Sequence, residues 1–148
     1  MPEIKASYDW FIGQYERQAQ VLSASNDLTA IDRLDIKRDI FERGIFVLMF
    51  AQFEVAVNHT FEAVMSKRLG DDDWSRRRGW DADTLKGPRV SFHVRLCMVM
   101  DRRNPEFGQI NKNYALRNHC AHGGTTEPVG SIDDFEHNLY RWQSFLRD

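Results

Sequence analysis

One long helical segment constrains the fold more than any other feature of this sequence. A helical segment is predicted to start after the polar stretch 23–27, and its apolar positions recur most clearly every three or four residues through residues 36–69. This helix is predicted to end against Gly70 and can kink at Gly44. Near its middle, apolar residues surround the helix, so other helices or a second subunit must cover several of its sides. These residues are Phe46, Leu48, Met49 and Phe50. The segment predicts an all-α fold, an antiparallel helical bundle with one long central helix.

Helical spacing also marks most of the remaining chain. Residues 3–24 carry an amphipathic repeat, which the polar stretch 23–27 interrupts. Residues 104–106, Asn-Pro-Glu, are typical of a helix start, and residues 123–124, both glycine, supply the matching stop. The last helix follows Ser131, whose position resembles a capping box. Its apolar residues are Ile132, Phe135, Leu139, Trp142 and Leu146.

Two stretches are less regular. Residues 90–100 alternate like a strand but also fit a helix, and because a lone strand has no partner here we predict a helix. Residues 70–89 hold three glycines, Pro88 and two runs of charge, so we predict a long loop that can contain a short helical piece. The whole pattern predicts about five helices in a single domain, as expected for 148 residues.

Composition excludes several classes of protein. With 42% apolar and 28% charged residues the chain can build a core, unlike a disordered or collagen-like sequence. The longest apolar run, residues 45–51, is far shorter than the roughly 20 residues that cross a bilayer. The N-terminus shows no secretory signal, so we expect a cytoplasmic protein without a membrane partner. Cys97 and Cys120 are too few for a disulfide framework and are predicted to be buried, reduced thiols.

The net charge of −2 means that any basic surface must be local. Arg76, Arg77 and Arg78 are consecutive and lie between Trp74 and Trp80. Because arginine suits bidentate contacts with phosphate, this cluster is a candidate RNA-binding element. Three aspartates at positions 71–73 cancel its charge, however, and the simpler interpretation is a solvated loop.

One arginine lies on an apolar stripe. Ile110, Tyr114, Arg117 and Ala121 share one face of the predicted helix, and a buried guanidinium needs a partner because an unpaired buried charge is costly. Glu54 has a similar inward position in the long helix. We predict that Glu54 pairs with Arg117 and fixes its side chain. The alternative is a purely structural ion pair between two helices.

His122 lies five residues after Arg117, where the helix ends before Gly123. A helix C-terminus favours the protonated imidazole by about 0.3–1 kcal/mol, which permits proton transfer near neutral pH. Five residues correspond to about 140° around an ideal helix, yet both side chains can reach one pocket at the helix end. Asn118, four residues before His122, can orient the ring. The simpler interpretation is that His122 only caps the helix.

Residues 117–123, Arg-Asn-His-Cys-Ala-His-Gly, resemble a known signature. They match the Arg-x4-His motif, commonly Arg-Asn-x-x-x-His-Gly, of the HEPN domains (higher eukaryote and prokaryote nucleotide-binding). The upstream apolar helix with an inward acid, here Glu54, is similar to that family too, as are the all-helical plan and the position of the motif near the C-terminus. The resemblance covers about residues 35–147.

The resemblance implies a homodimer in which two Arg-x4-His sites share one cleft and cleave RNA without a metal or other cofactor. His122 would act as general base or acid, Arg117 would neutralise the phosphate, and His119 is a candidate second group. Many such proteins are similar to toxins of toxin–antitoxin or phage-defence systems, whose antitoxin is frequently a minimal nucleotidyltransferase. Other members have lost activity and serve as binding or scaffolding modules for a protein partner or nucleotide.

Other chemistries fit the residues less well. Zinc-type ligands are present, but their spacing matches no compact zinc finger, and no metal site is predicted. They are His93, Cys97, His119, Cys120 and His122. A nucleophilic Cys120 paired with His122 is formally available, yet adjacent turns of one helix end rarely orient such a pair. Glycine-rich phosphate-binding motifs are absent from the sequence.

Overall fold

The computed structural model describes residues 1–80, 85, 90–124 and 127–147. These residues form six α-helices and no strand, which confirms the predicted all-α class. The helices are α1 (Pro2–Ala24), α2 (Leu28–Leu69), α3 (Trp74–Arg77), α4 (Phe92–Val99), α5 (Glu106–Ala121) and α6 (Ile132–Gln143). The helix beyond the five that the sequence predicts is the four-residue α3, which is the short helical piece of the predicted loop. Residues 81–84 and 86–89 of that loop lie outside the described residues.

Side-chain caps explain where the helices begin. The Asn104 side chain accepts a hydrogen bond from the backbone N–H of Glu106 at 2.9 Å, which confirms the predicted start of α5. Ser131 caps α6 by accepting from the backbone N–H of Asp134 at 3.2 Å. For α2, the Asp27 carboxylate accepts from the backbone N–H of Ala30 at 3.0 Å, and the helix starts at Leu28, directly after the polar stretch 23–27 as predicted.

The first of two compact units contains Met1–Ala51 and Ala115–His137. Phe46 is fully buried and packs against Phe135, with ring centroids 4.5 Å apart. The ammonium of Lys5 lies 2.8 Å from the carboxylate of Asp133 and also bonds Asp9, and these hydrogen bonds raise the pKa of Lys5. An aromatic contact and a charged contact therefore both connect the Met1–Ala51 segment of this unit to its Ala115–His137 segment.

The second compact unit contains Gln52–Tyr114 and Asn138–Asp148. Trp142 is fully buried, its ring centroid 5.7 Å from that of Phe53. Its indole N–H donates to the carboxylate of Glu106 at 2.8 Å, and Arg141 binds the same carboxylate at 3.0 Å. The only polar atom of the indole is thus paired inside an apolar core. The prediction of a single domain stays a prediction.

Some burial predictions need correction. Cys97 and Cys120 are free thiols, as predicted, but they are half-buried rather than buried. Ala121 is exposed although it shares the stripe of the buried Ile110, because the end of α5 runs out to the surface. On α2, Leu48 is 54% exposed while Phe46 and its neighbours Met49 and Phe50 are fully buried. One chain therefore leaves part of the α2 circumference uncovered.

Two glycines of the α5 region have different backbone roles, and alanine substitutions at them should change the free energy of unfolding in opposite directions. Gly108 lies inside α5 with open space around its Cβ position, so Gly108→Ala should raise the free energy of unfolding by about 0.5–1 kcal/mol. Gly123 has a φ of +68°, so Gly123→Ala should lower it by about 1 kcal/mol or more. Urea unfolding of both variants measures these changes, and shifts of the same sign would contradict the assignment.

Candidate active site at the end of helix α5

The C-terminal end of α5 closes in a Schellman motif. The backbone N–H of Gly124 donates to the carbonyl of His119 at 2.8 Å, and that of Gly123 donates to the carbonyl of Cys120 at 3.2 Å. His122 is the first residue after the helix, and its backbone N–H still donates to the carbonyl of Asn118 at 3.1 Å. The predicted glycine stop is confirmed, and it places His122 in a defined backbone position.

Arg117 is anchored by its neighbour Asn118. A terminal guanidinium nitrogen of Arg117 donates to the side-chain oxygen of Asn118 at 2.9 Å, and both residues are half-buried. In the structure the amide oxygen of Asn118 accepts from Arg117, so Asn118 positions the guanidinium. The predicted role of Asn118 in orienting the His122 ring stays a prediction.

Two imidazoles are accessible at this helix end. His119 and His122 are both exposed, and residues three apart lie on the same side of a helix. Cys120 between them is half-buried, and burial raises the pKa of its thiol, a rise that the charge of Arg43 only partly offsets. A raised thiol pKa disfavours the thiolate, which weakens the case for Cys120 as a nucleophile.

A groove of about 420 Å³ lies beside Cys120 and Ala121 within the first unit. α2 contributes Ile40, Arg43, Gly44 and Leu48 to its walls, and α5 contributes Cys120 and Ala121. Its lining is mostly apolar, with Arg43 as its charged member. Arg43 is not predictable as a site residue, since nothing in the spacing of α2 indicates which residue of α5 lies opposite.

The remaining predicted catalytic residue, Glu54, is half-buried on α2. Glu54 belongs to the second unit and Arg117 to the first. The predicted pair between them stays a prediction.

The three consecutive arginines of the predicted RNA-binding element have partners within their own segment. Arg76 lies 3.6 Å from the carboxylate of Asp73, and Arg77 donates to the backbone carbonyl of Asp71 at 2.9 Å. The guanidinium of Arg78 stacks on Trp74, 5.4 Å from the ring centroid. Arg76 and Arg78 are exposed, in line with the simpler interpretation of a solvated loop, and RNA binding by these arginines stays a prediction.

Within the described part of the chain, no group of three or more His, Cys, Asp or Glu residues is placed to hold a metal ion. None of the helices formed by those residues is long and apolar enough to cross a membrane.

Comparison with models of protein families, with curated proteins and with solved structures found no match.

Proposed function

We propose that this chain is an endoribonuclease of the HEPN type that needs no metal and acts in the cytoplasm as a toxin or defence factor. One observation carries the proposal: a half-buried arginine fixed by Asn118 precedes two exposed histidines at one capped helix end. A positioned cation with accessible imidazoles is the equipment that phosphodiester transesterification requires. The Arg-x4-His resemblance supports the same chemistry.

The proposed reaction uses the ribose 2′-hydroxyl as the nucleophile. His122 removes the proton of that hydroxyl, and the resulting oxygen attacks the adjacent phosphorus. Arg117 neutralises the charge that builds on the phosphoryl oxygens, and Arg43 adds a second cation from the groove wall. A protonated imidazole then gives its proton to the departing 5′-oxygen. That second imidazole is His119 or the His122 of a second copy.

Incubation of the purified protein with single-stranded RNA in EDTA tests the proposal directly. RNA should be cleaved to fragments that end in a 2′,3′-cyclic phosphate, which end-specific labelling detects. DNA of the same sequence should stay intact, because it lacks the attacking hydroxyl. Cleavage that needs a divalent metal ion, or equal cleavage of DNA, would contradict the proposed chemistry.

The exposed apolar side chains beside the site support a homodimer within this proposal. Ile40 is 59% and Leu48 is 54% exposed, and both line the groove next to Cys120 and Ala121. Large apolar side chains grouped on one helix face are typical of an interaction surface. A twofold interface places the same patch of each copy against its partner, so it would cover these residues and bring two copies of His122 together.

Light scattering at tens of micromolar protein should therefore give the mass of a dimer. Leu48→Glu should raise the dissociation constant by about two to four orders of magnitude, since burying one leucine contributes about 1.5–3 kcal/mol and the change occurs in both copies. Val21→Glu, at a 69% exposed position of α1, is the matched control and should leave the dimer intact. A monomeric wild type that still cleaves RNA would leave His119 as the second imidazole.

The same apolar groove favours one other function, a binding or scaffolding module without catalytic activity. Such a module would engage a protein partner, for example a minimal nucleotidyltransferase antitoxin, or a nucleotide. Expression in a bacterial host separates the two functions. A toxin should arrest growth and lose this effect when His122 is replaced, whereas a binding module should show no dependence on His122.

A further inference from the structure

A second group of reactive side chains lies in the other compact unit, on α4 and α5. The Sγ atom of Cys97 is 3.6 Å from Nε2 of His93, one turn earlier on α4. Nδ1 of the same ring is 2.9 Å from the side-chain oxygen of Asn111 on α5. A thiol, an imidazole and an amide therefore stand in a row, which is the order of nucleophile, base and orienting group.

The hydrogen bonds define which ring nitrogen carries the proton. The side-chain nitrogen of Asn111 donates to the carbonyl of Phe107 at 2.8 Å, so its side-chain oxygen must be the atom that faces His93. An oxygen can only accept, and Nδ1 of His93 is therefore protonated. In the neutral ring this leaves the lone pair on Nε2, directed at the thiol of Cys97.

Packing holds the imidazole in this orientation. The ring of His93 meets the ring of Phe107 edge to face, with centroids 5.7 Å apart and planes at 75°. His93 is exposed and Cys97 is half-buried, so a small reagent in solvent can approach the pair. The ring is thus supported by α5 while Nε2 stays beside the sulfur of a half-buried cysteine.

We propose that Cys97 is a site of reversible thiol–disulfide exchange, with His93 as its base and Asn111 as the residue that positions the base. The co-reactant is a low-molecular-weight disulfide such as glutathione disulfide. The Cys97 thiol gives its proton to Nε2 of His93 while its sulfur bonds to one sulfur of the reagent. The disulfide bond of the reagent breaks, and the departing thiolate takes the proton from His93. The products are a mixed disulfide on Cys97 and one free thiol.

Cys120 provides an internal comparison. It is a free, half-buried thiol like Cys97, but burial raises its pKa. Exchange requires the thiolate, so two cysteines of similar exposure should react at different rates if His93 activates one of them. This site is independent of the proposed ribonuclease chemistry, and its test needs no RNA.

The test uses the reduced full-length chain, glutathione disulfide as the probe, and intact-mass spectrometry to follow the added mass over time. Cys120→Ser, which retains Cys97, should react about tenfold faster than Cys97→Ser, which retains Cys120. In about 8 M urea, where the chain is unfolded, the two variants should react at the same rate. Equal rates in the folded protein would overturn the proposal.

Two further variants in the Cys120→Ser background test the base and its positioning. His93→Gln retains polarity but cannot accept the thiol proton as an imidazole does, and should slow the reaction about tenfold. Asn111→Leu keeps the imidazole but frees its orientation, and should slow the reaction by a smaller factor. Circular dichroism checks that each variant keeps its helices. An unchanged rate in His93→Gln would show that Cys97 reacts through exposure alone and would overturn the assigned role.

Discussion

His122→Ala should lower the rate of RNA cleavage by about 100- to 10,000-fold, the usual contribution of a general acid–base group. His122 is exposed at the end of α5, and its backbone contact to Asn118 uses only the main chain, so the variant should keep the wild-type fold. His59→Ala is the matched control. It removes an equally exposed histidine from α2 in the second unit, and its cleavage rate should be that of the wild type.

Two related variants distinguish the roles within the site. Arg117→Lys keeps the positive charge but loses the planar fork that Asn118 holds, and should therefore reduce cleavage more than it reduces RNA binding. His119→Ala should be as damaging as His122→Ala if both imidazoles come from one chain, and mild if a second copy supplies its own His122. Cleavage that persists unchanged in His122→Ala would reject the proposed base.

Trp142→Ala should lower the free energy of unfolding by about 3–5 kcal/mol, the cost of removing a large buried aromatic side chain. Trp142 is fully buried against Phe53, and its removal also leaves the Glu106 carboxylate without one of its hydrogen bonds. Trp142→Phe retains most of the apolar volume and should lose only about 1–2 kcal/mol. Urea unfolding followed by circular dichroism measures both values.

Tyr140→Ala serves as the control for position on α6. Tyr140 is 49% exposed on the same helix, so Tyr140→Ala should lower the free energy of unfolding by much less than Trp142→Ala does. Similar destabilisation of the two variants would mean that Trp142 does not anchor the core of the second unit as the structure indicates.

Local signals explain why much of the fold is predictable. The Asn104 cap and the two-glycine stop bound α5 in the sequence as they do in the structure, because capping depends on residues within one turn. The helix over residues 90–100 is confirmed as α4, Phe92–Val99, since the described residues supply no strand for it to pair with. The early part of α2 carries a weaker apolar repeat, and only the Asp27 cap marks its start.

The candidate sites are less predictable because they depend on contacts between helices. Sequence spacing brings His93 and Cys97 onto one face, but it does not indicate that Asn111 of α5 orients the ring. The position of Arg43 beside Cys120 in the groove is unpredictable for the same reason, because no local sequence pattern links the two residues. Asn118 illustrates a different limit: its spacing predicts a contact with His122, but no spacing rule indicates the hydrogen bond that its amide oxygen accepts from the adjacent Arg117.

The glycine stop after His122 has a consequence for the surface around the proposed catalytic imidazole. Among the described residues, a Cβ at Gly123 would meet no atom within 4 Å, so this glycine is required by its left-handed backbone and not by crowding. Both residues that follow His122 are glycines, so the main chain next to it carries no side chain. The RNA of the proposed reaction would therefore meet backbone N–H and C=O groups, and no side chains, at the two positions after His122.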